Sequence, residues 1–141
     1  MQTFLPYADF TLSAQSLDRQ RLGKQRVEAK QIVLALRDPD YGWQHHPAVK
    51  MWRGYETALM AYGTAICGEW LNRGYRDTLL DFFRCDDIVV MPPWIGDERV
   101  HRSHRANLVR KDPNHYKFDE EPTLGYFWPS EAPLMERSVY A

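Results

Sequence analysis

Between Ser13 and Arg37 the apolar residues Leu22, Ala29, Ile32, Val33 and Leu36 fall, at about 100° per residue, within one arc of about 100°. That spacing predicts one helix, capped by Ser13 or Ser16 and stopped before the turn cluster Asp38-Pro39-Asp40-Tyr41-Gly42. His45-His46-Pro47 opens a second helical stretch, with Pro47 suited to a first turn. It runs to Asn72, with a break near Arg53-Gly54 and an end at Arg73-Gly74-Tyr75. Asp77 to Phe83 suits a short helix, and Asp97 to Val109 another that Asp112-Pro113 terminates. Ile88-Val89-Val90 has strand-like character but no second strand to pair with, and Met91-Pro92-Pro93-Trp94 forms a rigid loop. Residues 1–11 are too apolar for a loose tail and should pack on the body. The last thirty residues, with Pro122, Pro129, Pro133, Tyr126, Phe127 and Trp128, should wrap over it irregularly. The expected fold is all-α, a single domain over residues 1–141.

A polar stripe runs beside the apolar arc of the first helix. Leu17, Arg21, Lys24 and Glu28 follow one another at steps of four, three and four. Arg21 and Glu28 lie at the edge of the arc, so both should be partly buried. A half-buried carboxylate needs a cation or hydrogen-bond donors. Glu28 therefore reads either as half of a structural ion pair or as a general acid/base in a basic cleft. Gly23 costs about 1 kcal/mol relative to Ala inside a helix, which suggests close approach of another backbone or a ligand.

The formal net charge of -1 hides an asymmetry. Residues 17–37 carry a net +4 and residues 99–117 a net +5, leaving about -10 for the rest of the chain. Two basic blocks on a near-neutral chain suggest a basic face toward a polyanion, most commonly nucleic acid. In the second block His101, Arg102, His104 and Arg105 combine forked donors with titratable ones, a set suited to phosphate. Arg19, Arg26 and Lys30 offer further phosphate contacts from the first helix. Neither the adjacent His45-His46 nor the two cysteines, Cys67 and Cys85, has metal-ligand spacing. No metal or cofactor is therefore expected, and the thiols read as reduced. No leader and no membrane-length apolar run is visible, so a soluble, cytoplasmic protein is expected. Trp43, Trp52, Trp94 and Trp128 read as core first, with Trp94, in its Pro-Pro loop, the leading exception that could stack on bases.

These segments also resemble a known family. Leu17-to-Ala29 (LDRQRLGKQRVEA), His46-to-Gly54 (HPAVKMWRG), the Glu69-to-Thr78 stretch (EWLNRGYRDT), Ser103-to-Tyr116 (SHRANLVRKDPNHY) and a tail ending Tyr140-Ala141 are similar to the pyrimidine dimer DNA glycosylases. These are the phage endonuclease V-like proteins, and the match is to a bacterial branch of them. The resemblance implies a compact all-α domain with three main helices. It also implies glycosidic cleavage by an α-amino nucleophile, which attacks the sugar C1′ and forms a Schiff base before β-elimination cuts the strand. An α-amine suits this, because it titrates near pH ~8 and is partly neutral at working pH. A base is reached by bending and flipping, which requires cationic surfaces.

Two positions depart from the family pattern. Aligning Arg26-Val27 puts Gly23 where the family has its catalytic carboxylate, so Glu28 would have to serve from further along the helix. The second residue is the bulky Gln2, so the amine is expected to be that of Met1, with Lys24 as a substitute. The resulting expectation is a monomeric base-excision enzyme acting on damaged or modified pyrimidines in double-stranded DNA. Met1, Lys24 and Glu28 would be catalytic. Arg19, Arg21, Arg26, His45, His46, His101, Arg102, His104 and Arg105 would hold DNA. With about six phosphate contacts, affinity would fall roughly a thousandfold between 50 and 200 mM salt. The alternatives are a non-catalytic nucleic-acid or nucleotide-binding module on the same fold, and a hydrolase of a modified nucleotide.

Overall fold

The computed structural model describes residues 1–131. Its helices are α1 (Phe10–Ser16), α2 (Arg19–Arg37), α3 (Pro47–Lys50), α4 (Glu56–Asn72), α5 (Leu80–Phe83) and α6 (Glu98–Lys111), with a 3-10 turn at Pro129–Glu131. Among the described residues there is no strand. The all-α expectation holds, and α2, α4 and α6 are the three long helices.

The single helix expected from Ser13 to Arg37 is two. Leu17 leaves helical geometry at a corner and is fully buried there. Asp9 and Asp18, not Ser13 or Ser16, cap the two pieces, each carboxylate accepting a backbone N–H of the first turn. Ser13 instead bonds both backbone groups of Tyr7. The break near Arg53-Gly54 is present, between α3 and α4. Ile88, Val89 and Val90 lie exposed in a connecting segment and pair with nothing as a strand.

α2 packs along α4, and α1 and α5 also pack against α4. Leu22, Ile32 and Val33 from α2 meet Leu59, Tyr62 and Ile66 from α4 around the fully buried Trp52. Phe83 enters this core over Gly63, where a Cβ would stand 2.2 Å from its ring. Any side chain at position 63 would evict α5. Trp94 is core, not a stacking platform: it is buried against Trp52, and its indole N–H donates to the Met51 carbonyl.

Residues 2–5 form a buried, extended segment between α2 and α6. Buried backbone outside a sheet must find side-chain partners, and this segment finds them on both sides. From α2, Gln25 accepts from Phe4 N (3.0 Å) and donates to Gln2 O (2.9 Å). From α4, Tyr62 donates to Phe4 O. From α6, His104 accepts from Leu5 N (2.9 Å) and His101 bonds Leu5 O (2.8 Å). Arg105 donates to Pro6 O. The chain beyond α6 is irregular and is held to it by Asn107 and Arg110, which donate to the carbonyls of Leu124 and Pro122. Tyr126, Phe127 and Trp128 are half-buried against the core, as the tail was expected to pack. Pro133 and the Tyr140-Ala141 ending lie outside the described residues.

Candidate active site

The extended segment delivers the amino terminus to the middle of α2. Gln2 N donates to Glu28 Oε2 at 3.2 Å. Gln25 Nε2 donates to the same oxygen at 3.0 Å while also holding Gln2 O. The other end of the Gln25 amide accepts from Phe4 N and lies 2.6 Å from the Tyr62 hydroxyl, whose one proton it shares with Phe4 O, so the orientation of the amide is fixed. Met1 and Glu28 therefore line one cleft of about 320 Å³, shared with Arg21, Lys24, Lys111 and Tyr126. A second cleft, of about 700 Å³, opens on the other flank of α2 and shares Gln20, Lys24 and Glu28 with the first. Gly23 lies in this second wall, because a Cβ there would press to 3.1 Å on the Trp70 ring. The close approach that the glycine suggested is to an aromatic side chain.

A third group, His46, responds to the charges of this pair. Burial pushes His46 below its ordinary value, the N-terminal ammonium pushes the same way, and Glu28 opposes both. His46 is thus within electrostatic reach of the amine and of the carboxylate. Its Nδ1 caps α3 by accepting from Ala48 N, which leaves the proton on Nε2. Glu28 also pushes the Tyr62 hydroxyl upward, on top of its complete burial. Gln2 contributes a buried side chain whose Oε1 accepts from Thr3 N. Among the described residues its Nε2 has no hydrogen-bond partner within bonding geometry. Its amide faces the Tyr126 hydroxyl and lowers that group's pKa against the larger upward push of burial.

Of the DNA-binding candidates, Arg21 reaches the cleft, tethered to Asp18 at 3.2 Å. Tyr116 OH donates to that same carboxylate, which fixes the Asp18–Arg21 pair. Arg19 is exposed, with its guanidinium over the Tyr75 ring, and lines the second cleft. His45 is exposed and His46 half-buried. Four candidates take other roles. His101 and His104 are completely buried, and their rings bond the Leu5 backbone, so they cannot reach phosphate. Arg105 spends its donors on Glu98, Glu120 and Pro6 O. Arg26 is bound to Asp77 at 2.7 Å and lies against Trp70. Arg102 is exposed, but nine residues of helix put it about half a turn round α6 from Lys111, the residue of that helix that does line the cleft.

Reading the sequence missed Gln2, Gln25, Lys111 and Tyr126. Gln25 had a signal: it falls inside the apolar arc of α2, where an amide demands partners. The other three come from the chain ends and from the last residue of α6, and only the tertiary fold brings them together. Among the described residues no three His, Cys, Asp or Glu side chains gather as a metal site. No described helix is long and apolar enough to cross a membrane.

The amino terminus and a glutamate thus share one cation-lined cleft of a helical protein. A sequence model of the pyrimidine dimer DNA glycosylases matches residues 1–82, more than half of the chain, and the chain belongs to that family. The match covers the amino terminus, Glu28 and α1 to α4, ends within α5, and stops before α6. No match is found among curated proteins or among solved structures.

Proposed function

We propose that this protein is a base-excision glycosylase with AP-lyase activity on damaged or modified pyrimidines in duplex DNA. The reading treats residues 1–141 as one domain that works as a monomer. The observation that carries it is the hydrogen bond from Gln2 N to Glu28 Oε2 at 3.2 Å, which fixes the Met1 end of the chain beside a carboxylate. The Met1 amine attacks C1′ and the base departs with a proton. The sugar ring opens to a Schiff base, and loss of the C2′ proton expels the 3′ phosphate. Glu28 handles protons and stabilises the cationic intermediate. It takes the part that Gly23 cannot, from five residues further along the helix. Lys24, at the same cleft, is the substitute amine. Arg19, Arg21, Lys24 and Lys111 hold phosphates, with His45 and His46 on the flank.

Borohydride trapping on a duplex with one abasic site tests this reading. A covalent adduct is expected, with peptide mapping placing it on Met1. Tight binding with no adduct would favour a binding module on this fold. An adduct on Lys24 would move the nucleophile along the same wall.

A further inference from the structure

Trp43 is the one non-glycine residue with a positive φ among the described residues, at 73°, and it is 55% exposed. A bulky aromatic in left-handed geometry is strained, and such strain persists where the surroundings impose it. They do so here. The carbonyls of Ala35, Asp38 and Tyr41 share the two protons of Gln44 Nε2, tying the loop to the end of α2. The Trp43 carbonyl accepts from His46 N, closing the turn. The strain therefore holds an apolar ring out in water, where it contributes little to the core. The ring also has a neighbourhood. It meets His46 edge to face at 5.8 Å; His46 meets Trp128 at 6.1 Å, and Trp128 meets Tyr126 in the cleft wall at 5.3 Å. His46 is the group within electrostatic reach of the amine and Glu28.

We infer that Trp43 is a base-stacking residue, taking the exposed face of a nucleobase next to the nucleotide under attack. This rests on the glycosylase reading of the adjoining cleft. A held, exposed indole offers an aromatic plane at little ordering cost, and stacking of this kind tolerates any base. It would fill the gap that opens when a nucleotide leaves the helix.

The test uses a duplex with a tetrahydrofuran abasic analogue flanked by 2-aminopurine, titrated with the wild type, Trp43→Phe and Trp43→Gly. The wild type should change the 2-aminopurine fluorescence, and Trp43→Phe should keep most of that change. Trp43→Gly should abolish it and weaken binding about tenfold or more. The same Trp43→Gly protein should have a higher denaturation midpoint, because glycine adopts this φ without strain. Unchanged binding and fluorescence in Trp43→Gly would overturn the inference. So would weaker binding together with a lower midpoint, because that marks a structural role. Borohydride trapping on a true abasic duplex separates the two readings. A wild type that binds without forming an adduct refutes the glycosylase chemistry, while the 2-aminopurine signal still decides whether Trp43 stacks.

Discussion

Glu28 and His104 are both polar side chains bonded to the amino-terminal segment, and their surroundings give them opposite duties. Glu28 is half-buried in an open cleft, so substituting glutamine keeps its shape and its acceptor for Gln2 N. Glu28→Gln should leave the circular dichroism spectrum and melting profile nearly unchanged while turnover falls by about 10²–10⁴, the usual worth of a positioned proton donor or acceptor. Full turnover in that folded variant would reduce Glu28 to a clamp on the segment. His104 is sealed, and burial, with His101 adding to it, pushes its pKa down to about 3. Its Nδ1 accepts from Leu5 N and must stay unprotonated. The unfolded chain takes up that proton near pH ~6.5, so the stabilisation is complete above that pH and is lost progressively as pH falls. Between pH 6.5 and 4.5 the loss from this residue should be about 2 kcal/mol, read by urea unfolding. His46, also lowered, adds in the same direction. His104→Asn keeps an acceptor in the Nδ1 position without the titration, and its stability should vary much less over the same range.

Among the elements, the amino-terminal segment depends most on others, because residues 2–5 make no ladder of their own and borrow bonds from α2, α4 and α6. Gln25 supplies two of those links and also orients Glu28. Gln25→Leu would leave Phe4 N and Gln2 O without their partner, at a cost of about 3 kcal/mol. Hydrogen exchange should speed up at residues 2–5 while the centre of α4 stays protected, and activity should fall although Glu28 is intact. Uniform loosening of α4 as well would show that the segment is not a separable unit. The helices themselves were readable in advance, because their apolar spacing and the Gly74 stop are local signals. The break at Leu17 was not. Leu17 continues the helical spacing, and only burial at the corner, with Asp18 held by Tyr116 from across the molecule, selects two helices. The same limit explains His101 and His104. In a basic run their composition suggested phosphate, whereas the deciding fact is that a strand-like segment from the other end of the chain lies against them.

At the scale of the whole molecule, the two basic blocks do not add up to one uniform basic face. Arg21, Arg26, Arg37, Arg99 and Arg105 are engaged by carboxylates, so much of the excess counted along the sequence is neutralised locally. Apart from Arg26, which is clamped on Asp77, the cations that line the two clefts are Arg19, Arg21, Lys24 and Lys111, drawn from both blocks, with Arg21 held in place by Asp18. That convergence is what charge counting detected; the number of cations was what it overestimated. Counterion release gives a logarithmic salt slope of about -0.9 per phosphate neutralised. Four contacts give a slope near -3.6, so duplex affinity should fall about a hundredfold between 50 and 200 mM salt, not the thousandfold that six contacts would produce. Lys111→Glu should make the slope shallower by about one, and Arg102→Glu, half a turn round the same helix, should leave it where it was. A slope that responds to Arg102 but not to Lys111 would put the DNA on the far side of α6. That result would detach the cleft holding Met1 and Glu28 from the nucleic acid it is proposed to act on.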